Sequence, residues 1–169
     1  MNNRFNLINK KQLLLLCVLG NVPFASQAVT TTTTTFTVTA TVLAGCTTTA
    51  TNLDFGSYNP STTSTNIDMS STISVTCTNG TPYNVGLNAG ANGATINDRK
   101  MTSGLSTLTY NLYQDSARTS VWGNTVGTNT VTGTGIGSAA SIPVYGRMPP
   151  NTAAVAGMYS DTITVTVTY

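Results

Sequence analysis

In residues 162–169, Thr162-Ile163-Thr164-Val165-Thr166-Val167-Thr168-Tyr169, threonine alternates with an apolar residue without a break. A period of two places every apolar side chain on one face of an extended chain, so the stretch reads as a strand with one buried side. Its residues are β-branched or aromatic, and no charge, proline or glycine interrupts them. Those interruptions are what ordinarily stop a sheet edge from recruiting another chain. Such a strand must be central or covered, and a cover is expected from earlier in the sequence or from another molecule.

A second stretch has the same pattern near the other end. Phe36, Val38, Ala40 and Val42 alternate with threonine just as strictly, which predicts a one-faced strand over 36–42. The six threonines before it, residues 30–35, are low in complexity and read as a flexible leader. Leu43-Ala44-Gly45 breaks the alternation, and Cys46 then opens a threonine-rich strand through Ala50 to Leu53. Asp54-Phe55-Gly56-Ser57-Tyr58-Asn59-Pro60 is a turn-rich exit.

Between these ends, several short strands are separated by turn signals. Thr72-Ile73-Ser74-Val75-Thr76-Cys77 alternates, and Asn79-Gly80 predicts a hairpin to a returning strand carrying Tyr83, Val85 and Leu87. Arg99-Lys100-Met101 reads as a short edge strand, and 107–113 points Leu108, Tyr110 and Leu112 inward. Weak strand signals surround Val126 and Val131. A further strand holds Ile142, Val144 and Met148, and its Pro143 marks one side as an edge. No helical period occurs anywhere, so the expected fold is an all-β antiparallel sandwich.

The first residues predict export. Arg4, Lys10 and Lys11 precede the apolar run Leu13-Leu14-Leu15-Leu16-Cys17-Val18-Leu19, and Ser26-Gln27-Ala28 supplies small residues at a cleavage site. Residues 1–28 are therefore expected to be a cleaved signal peptide. The whole sequence has net charge +2. Without the leader, Arg99, Lys100, Arg118 and Arg147 face Asp54, Asp68, Asp98, Asp115 and Asp161, one charge short of neutrality on the acidic side. No basic patch is left for nucleic acid or an anionic membrane. Cys17 leaves with the signal, and Cys46 and Cys77 remain as an even pair in an exported chain, which predicts one disulfide.

Catalytic chemistry has little to work with. The sequence contains no histidine and no glutamate, which removes histidine-based triads, the HExxH zinc signature and most acid–base pairs. The five aspartates are scattered singly, so no metal site is expected. Gly133-Thr134-Gly135-Ile136-Gly137 lacks both the spacing and the following helix of a phosphate loop. Trp122 and the tyrosines read as core or rim residues of a sandwich. Asp161 beside Tyr159 marks the start of a strand. Neither an enzymatic activity, a cofactor nor a small-molecule substrate is expected.

Four stretches together resemble the spore coat U domain family, which includes the subunits of archaic chaperone-usher pili. They are Phe36-Thr37-Val38-Thr39-Ala40 ahead of Gly45-Cys46, then Leu53-Asp54-Phe55-Gly56, then Val144-Tyr145-Gly146-Arg147-Met148-Pro149, and Gly157-Met158-Tyr159-Ser160-Asp161 running into the closing strand. Met148 stands where the family commonly has a smaller aliphatic residue, and the monotony of residues 30–35 leaves the start of the donor segment open.

The resemblance implies an incomplete immunoglobulin-like antiparallel β-sandwich over 43–169, completed by donor-strand complementation. A periplasmic pilus chaperone would fill the gap first, and an outer-membrane usher would then exchange it for the 29–42 segment of the next subunit. On this reading Phe36, Val38, Ala40 and Val42 are the donor residues, and Ile163, Val165, Val167 and Tyr169 line the acceptor. The product would be a homopolymeric pilus on the cell surface that supports adhesion and biofilm formation. Two alternatives stay open. Segment 36–42 could pair with the chain's own last strand in a secreted monomer that binds glycans or surfaces, and the family's name suggests a protective coat protein.

Overall fold

The computed structural model describes residues 26–169, so most of the expected leader lies outside the described residues. The chain divides into two units, residues 1–39 and 40–169. In the first, the described part, 26–39, forms neither helix nor strand.

The second unit carries eight strands, built where the sequence alternates. They are β1 (Cys46–Ala50), β2 (Ile67–Cys77), β3 (Pro82–Leu87), β4 (Arg99–Ser103), β5 (Ser106–Tyr113), β6 (Val131–Thr134), β7 (Ala139–Met148) and β8 (Val165–Thr168). A five-stranded sheet runs β1-β2-β7-β5-β4, and a three-stranded sheet runs β6-β3-β8. Every pairing is antiparallel. The long β2–β7 ladder, from Ile67↔Met148 to Thr76↔Ala139, is the spine of the larger sheet.

The inward face of each strand meets the opposite sheet. Ile73 and Val75 of β2, Val144 and Met148 of β7, and Leu108, Tyr110 and Leu112 of β5 pack toward Tyr83, Val85 and Leu87 of β3. Trp122, fully buried, joins the two sheets: its backbone amide donates to Leu112 O and its indole Nε1 to Val85 O, each at 2.9 Å. The sulfurs of Cys46 and Cys77, the first residue of β1 and the last of β2, are 2.03 Å apart in a disulfide. On the outer face Arg147 Nε and Nη2 grip both oxygens of Asp68 at 2.8 and 2.7 Å, joining residues that face each other in the β2–β7 register.

The architecture is the expected all-β one, an incomplete immunoglobulin-like sandwich lacking one edge strand. Some local expectations give way to it. The Asn79-Gly80 turn is present, with Gly80 at φ +80° and Thr81 N donating to Thr78 O, but it does not make a hairpin. Strand β2 is already paired on both sides by β1 and β7, so the chain crosses at this turn to the other sheet, where β3 pairs with β6 and β8. An Asn-Gly turn sets the local backbone, whereas the sheet a strand joins is decided by which edges are free.

Segment 36–42, expected as a strand, forms none in the single chain. A strand's backbone groups need a partner, and alternation supplies only the side-chain half of that requirement. Pro143 does sit at an open side, because β5 pairs with β7 only over Arg147, Gly146 and Tyr145, leaving β2 as the sole partner at position 143.

Candidate functional site

Strand β8 has one neighbour. It pairs with β3 from Leu87↔Val165 to Asn84↔Thr168, and its other side carries no ladder. Strand β1 is likewise paired only with β2. Between the chain that follows β1 and the chain that leads into β8 lies an open cleft of about 1360 Å³.

One wall of this cleft is residues 51–60. Thr51 N still donates to Thr72 O of β2 at 2.9 Å, but beyond it the stretch forms no strand, and Leu53, Phe55 and Tyr58 turn their side chains onto the core. This approach depends on Gly146, because a Cβ there would come within 2.7 Å of Leu53 and 3.1 Å of Phe55. Phe55 rests edge-on against Tyr110, with ring centroids 6.1 Å apart. The opposite wall is residues 154–163 with Val165, and the floor is made of buried core side chains, among them Ile73, Leu108, Leu112 and Val144. An apolar floor lies open between two stretches of backbone that have no sheet partner on the facing side, the setting in which an added extended segment gains both burial and hydrogen bonds.

Of the residues assigned to an acceptor strand from sequence, Ile163 and Val165 line the cleft. Both are half-buried, as is Val167, and all three pack against the core. Val167 does not reach the cleft lining, and Tyr169 lies beyond the end of β8 with more than half its surface exposed. The residues assigned to a donor segment from sequence are solvent-facing: Phe36 is 87%, Val38 81% and Val42 82% exposed. Ala40 is exposed as well.

The end of the cleft nearest β4 and β5 is polar, and sequence reasoning did not identify its organisation. Arg99 is completely buried, yet its guanidinium meets carbonyls rather than a carboxylate. Nε donates to Asn88 O at 3.0 Å, Nη1 to Ile96 O at 3.1 Å, and Nη2 to Asn88 O at 2.7 Å, Leu87 O at 3.3 Å and Trp122 O at 2.6 Å. Burial lowers its pKa from the ordinary arginine value, and nearby Tyr110 and Asp161 counter that shift. The Tyr110 hydroxyl donates to Asp161 Oδ2 at 2.6 Å. Burial first, and then that bond, push the Tyr110 phenol well above the usual tyrosine range. The available signal was Arg99 itself, an arginine at the start of a strand in a sequence where only 7% of residues are charged.

No group of three or more His, Cys, Asp or Glu side chains that could hold a metal comes together among the described residues. What the cleft offers is an apolar trough beside open backbone edges.

Protein U of Myxococcus xanthus is 34% identical over 128 residues, covering 69% of this chain and 71% of the relative. Among solved structures, the crystal structure of the CsuC-CsuE chaperone-tip adhesion subunit pre-assembly complex from archaic chaperone-usher Csu pili of Acinetobacter baumannii contains a similar chain. The match has a TM-score of 0.55 and 27% identity and covers 76% of this chain, but spans only 40% of that chain's length. These likenesses establish a general kinship to pilus and adhesin subunits of the chaperone-usher type. The family model for the Spore Coat Protein U domain matches residues 32–166, nearly the whole described chain, and the protein belongs to that family.

Proposed function

We propose that this protein is a non-enzymatic structural subunit of a secreted surface fibre, an archaic chaperone-usher pilus that supports adhesion and biofilm formation. Residues 29–42 act as the donor segment and 43–169 as the acceptor domain, each copy completing the sandwich of its neighbour. The observation that carries this reading is the pairing state of β8: a half-buried apolar strand with one free edge beside an open cleft. A segment of matching alternation, Phe36, Val38, Ala40 and Val42, is fully available in the same sequence.

The energetics favour capture. Burying Phe36, Val38 and Val42 at roughly 1.5–3 kcal/mol each gives a gross gain of about 5–9 kcal/mol before ordering costs, with Ala40 adding little. New ladder bonds along β8 would accompany that burial. Because donor and acceptor are different parts of one subunit, the contact is heterologous, and repeated without closure it grows a fibre. Until a neighbour arrives, the open cleft needs a temporary occupant, the role of a periplasmic chaperone that hands the subunit to an outer-membrane usher.

The test compares the exported chain with a version lacking residues 30–42 on denaturing gels loaded without boiling. The intact chain is expected to give a ladder of multimers, and the shortened one a single band. A single band from both would overturn the fibre reading and favour a secreted monomeric binding module or coat protein.

A further inference from the structure

The C-terminal segment touches both sheets, and its crossing point is fixed by one side chain. At Ser160 it still belongs to the five-stranded sheet, through Thr102 N to Ser160 O at 3.0 Å and Ser160 N to Thr102 O at 3.1 Å. At Val165 it has joined β3 of the other sheet. Between these points Asp161 turns its carboxylate into the protein. Oδ2 accepts from the Tyr110 hydroxyl at 2.6 Å, and Oδ1 accepts from Ala91 N at 2.9 Å, Asn92 Nδ2 at 3.0 Å and its neighbour Thr162 N at 2.8 Å.

The receiving loop is shaped for that carboxylate. Gly90 has φ +85°, and a Cβ on it would overlap Asp161 Oδ2, so only glycine suits both the backbone conformation and the approach. Asn88 works from the same loop on the next stretch of chain. Its Oδ1 accepts from Thr164 N at 2.9 Å and from Gly90 N at 3.1 Å, and its own backbone N donates to Thr164 O at 3.2 Å. The loop is held by Arg99, whose Nε and Nη2 donate to Asn88 O. Tyr110, Asp161, Asn88 and Arg99 thus form one connected polar network at the root of β8.

We propose that Asp161 is a positioning residue for strand capture: its carboxylate sets where the C-terminal segment leaves the larger sheet and so holds β8 in register while its outer edge stays free. Strand β8 is an edge of four residues in which Val165 and Val167 are half-buried and Thr166 and Thr168 exposed, so beyond its β3 ladder and the Asn88 bonds few contacts fix its register. Pre-ordering that strand removes part of the cost an arriving donor would otherwise meet. The consequence for capture rests on the acceptor reading above, whereas the positioning of β8 does not.

The experiment uses the full chain refolded as a dilute monomer, in the parent form and as Asp161→Ala, with Asp161→Asn as the conservative variant that keeps one acceptor oxygen. Hydrogen exchange is read strand by strand. In Asp161→Ala, protection of the β8 amides that bond β3 is expected to fall roughly tenfold or more, while β2 and β7 change by less than about twofold. Asp161→Asn is expected to fall between the two. Association of a synthetic peptide of residues 34–43 should slow by roughly tenfold in Asp161→Ala, with its dissociation rate nearly unchanged, because only the competent fraction of the free chain is reduced. Unchanged β8 protection, or an equal loss in every strand, overturns the proposal. If the peptide fails to bind even the parent, the acceptor reading falls, and the exchange pattern still decides the role of Asp161.

Discussion

Segments 36–42 and 162–169 have nearly the same side-chain pattern and opposite fates. In the first, Phe36, Val38 and Val42 are exposed and no strand forms. In the second, Ile163, Val165 and Val167 pack on the core, and Val165–Thr168 pairs with β3. The difference is not in the pattern of apolar residues, since each segment carries four on one face, one of them aromatic. It lies in what each segment is tied to. The C-terminal one is delivered to a free edge of β3 by the Ser160 bridge and the Asp161 contacts, so its alternation finds a ladder. Alternation is therefore a capacity to be a strand, and a sheet edge within reach turns that capacity into structure.

The largest effect expected from this comparison comes from placing one charge in each segment. Val165→Asp puts a carboxylate on a half-buried position that packs against the core, so it should cost the monomer about 2 kcal/mol and also close the cleft to a donor. Val38→Asp places the same charge on an exposed side chain, so the monomer's stability should stay within about 0.5 kcal/mol. Assembly should nevertheless fall by at least roughly 100-fold in both, since either charge would be desolvated in the joined state. Melting curves of the monomers and multimer ladders read the two consequences separately. Normal ladders from Val165→Asp would remove the cleft from the assembly mechanism, and a destabilised Val38→Asp monomer would show that the exposed segment already supports its own fold.

The strands were legible wherever one face is buried by a neighbour close in register. Leu108, Tyr110 and Leu112 on β5 and the run ending at Cys77 on β2 are buried as their period of two requires. Topology was less legible, because Asn79-Gly80 specifies a turn and not the sheet its second arm joins. The cleft was visible only as an unprotected strand; its other wall, residues 51–60, alternates poorly and owes its course to the missing side chain of Gly146. Apart from the charge of Arg99 at a strand start, the Arg99–Asn88–Asp161 network leaves no mark in the sequence. Each member looks like a surface polar residue until loops distant in sequence bring carbonyls and amides around it, and no local pattern encodes that closure.

The root of the N-terminal segment gives the next contrast. Cys46 opens β1 and is bonded to Cys77, and Thr78 fastens the preceding residue, with Thr78 N donating to Gly45 O at 2.9 Å and Gly45 N to Thr78 Oγ1 at 3.1 Å. Strand β1 itself is an edge whose side chains are mostly exposed, so the covalent bond does much of what burial does elsewhere. Closing a loop of about thirty residues is worth about 3–4 kcal/mol in the chain-entropy picture, so the double variant Cys46→Ala/Cys77→Ala should melt roughly 10 °C lower. Exchange protection should be lost first along β1 while β8 keeps its own. Loss of β8 protection ahead of β1 would mean that the two ends are stabilised as one unit and that the contrast between them is false.

The smallest expected effect tests whether acid sensitivity belongs to either terminal segment or to the sheet between them. The hydrogen bonds from Arg147, more than the charge of Arg118, hold the Asp68 carboxyl below the usual carboxylate range, even though partial burial works the other way. A carboxyl with a lowered folded-state pKa contributes stability that is present in full above the unfolded value and is lost as pH falls through the folded one. The contribution of Asp68 should therefore be constant above about pH 5 and fade as the pH falls below the ordinary aspartate value of about 3.9. Because about a third of the Asp68 side chain is open to solvent, the effect is a fraction of what a buried pair would give. Asp68→Asn should flatten the fall in melting temperature between neutral and strongly acid solution without removing it. The Asp115 carboxyl, also lowered by the Ser120 and Thr119 amides it accepts, remains to be protonated. Protection of the β8 amides should not follow Asp68 at all, since the ion pair ties β2 to β7 on the outer face. A melting profile for Asp68→Asn that superimposes on the parent's would place the acid sensitivity elsewhere.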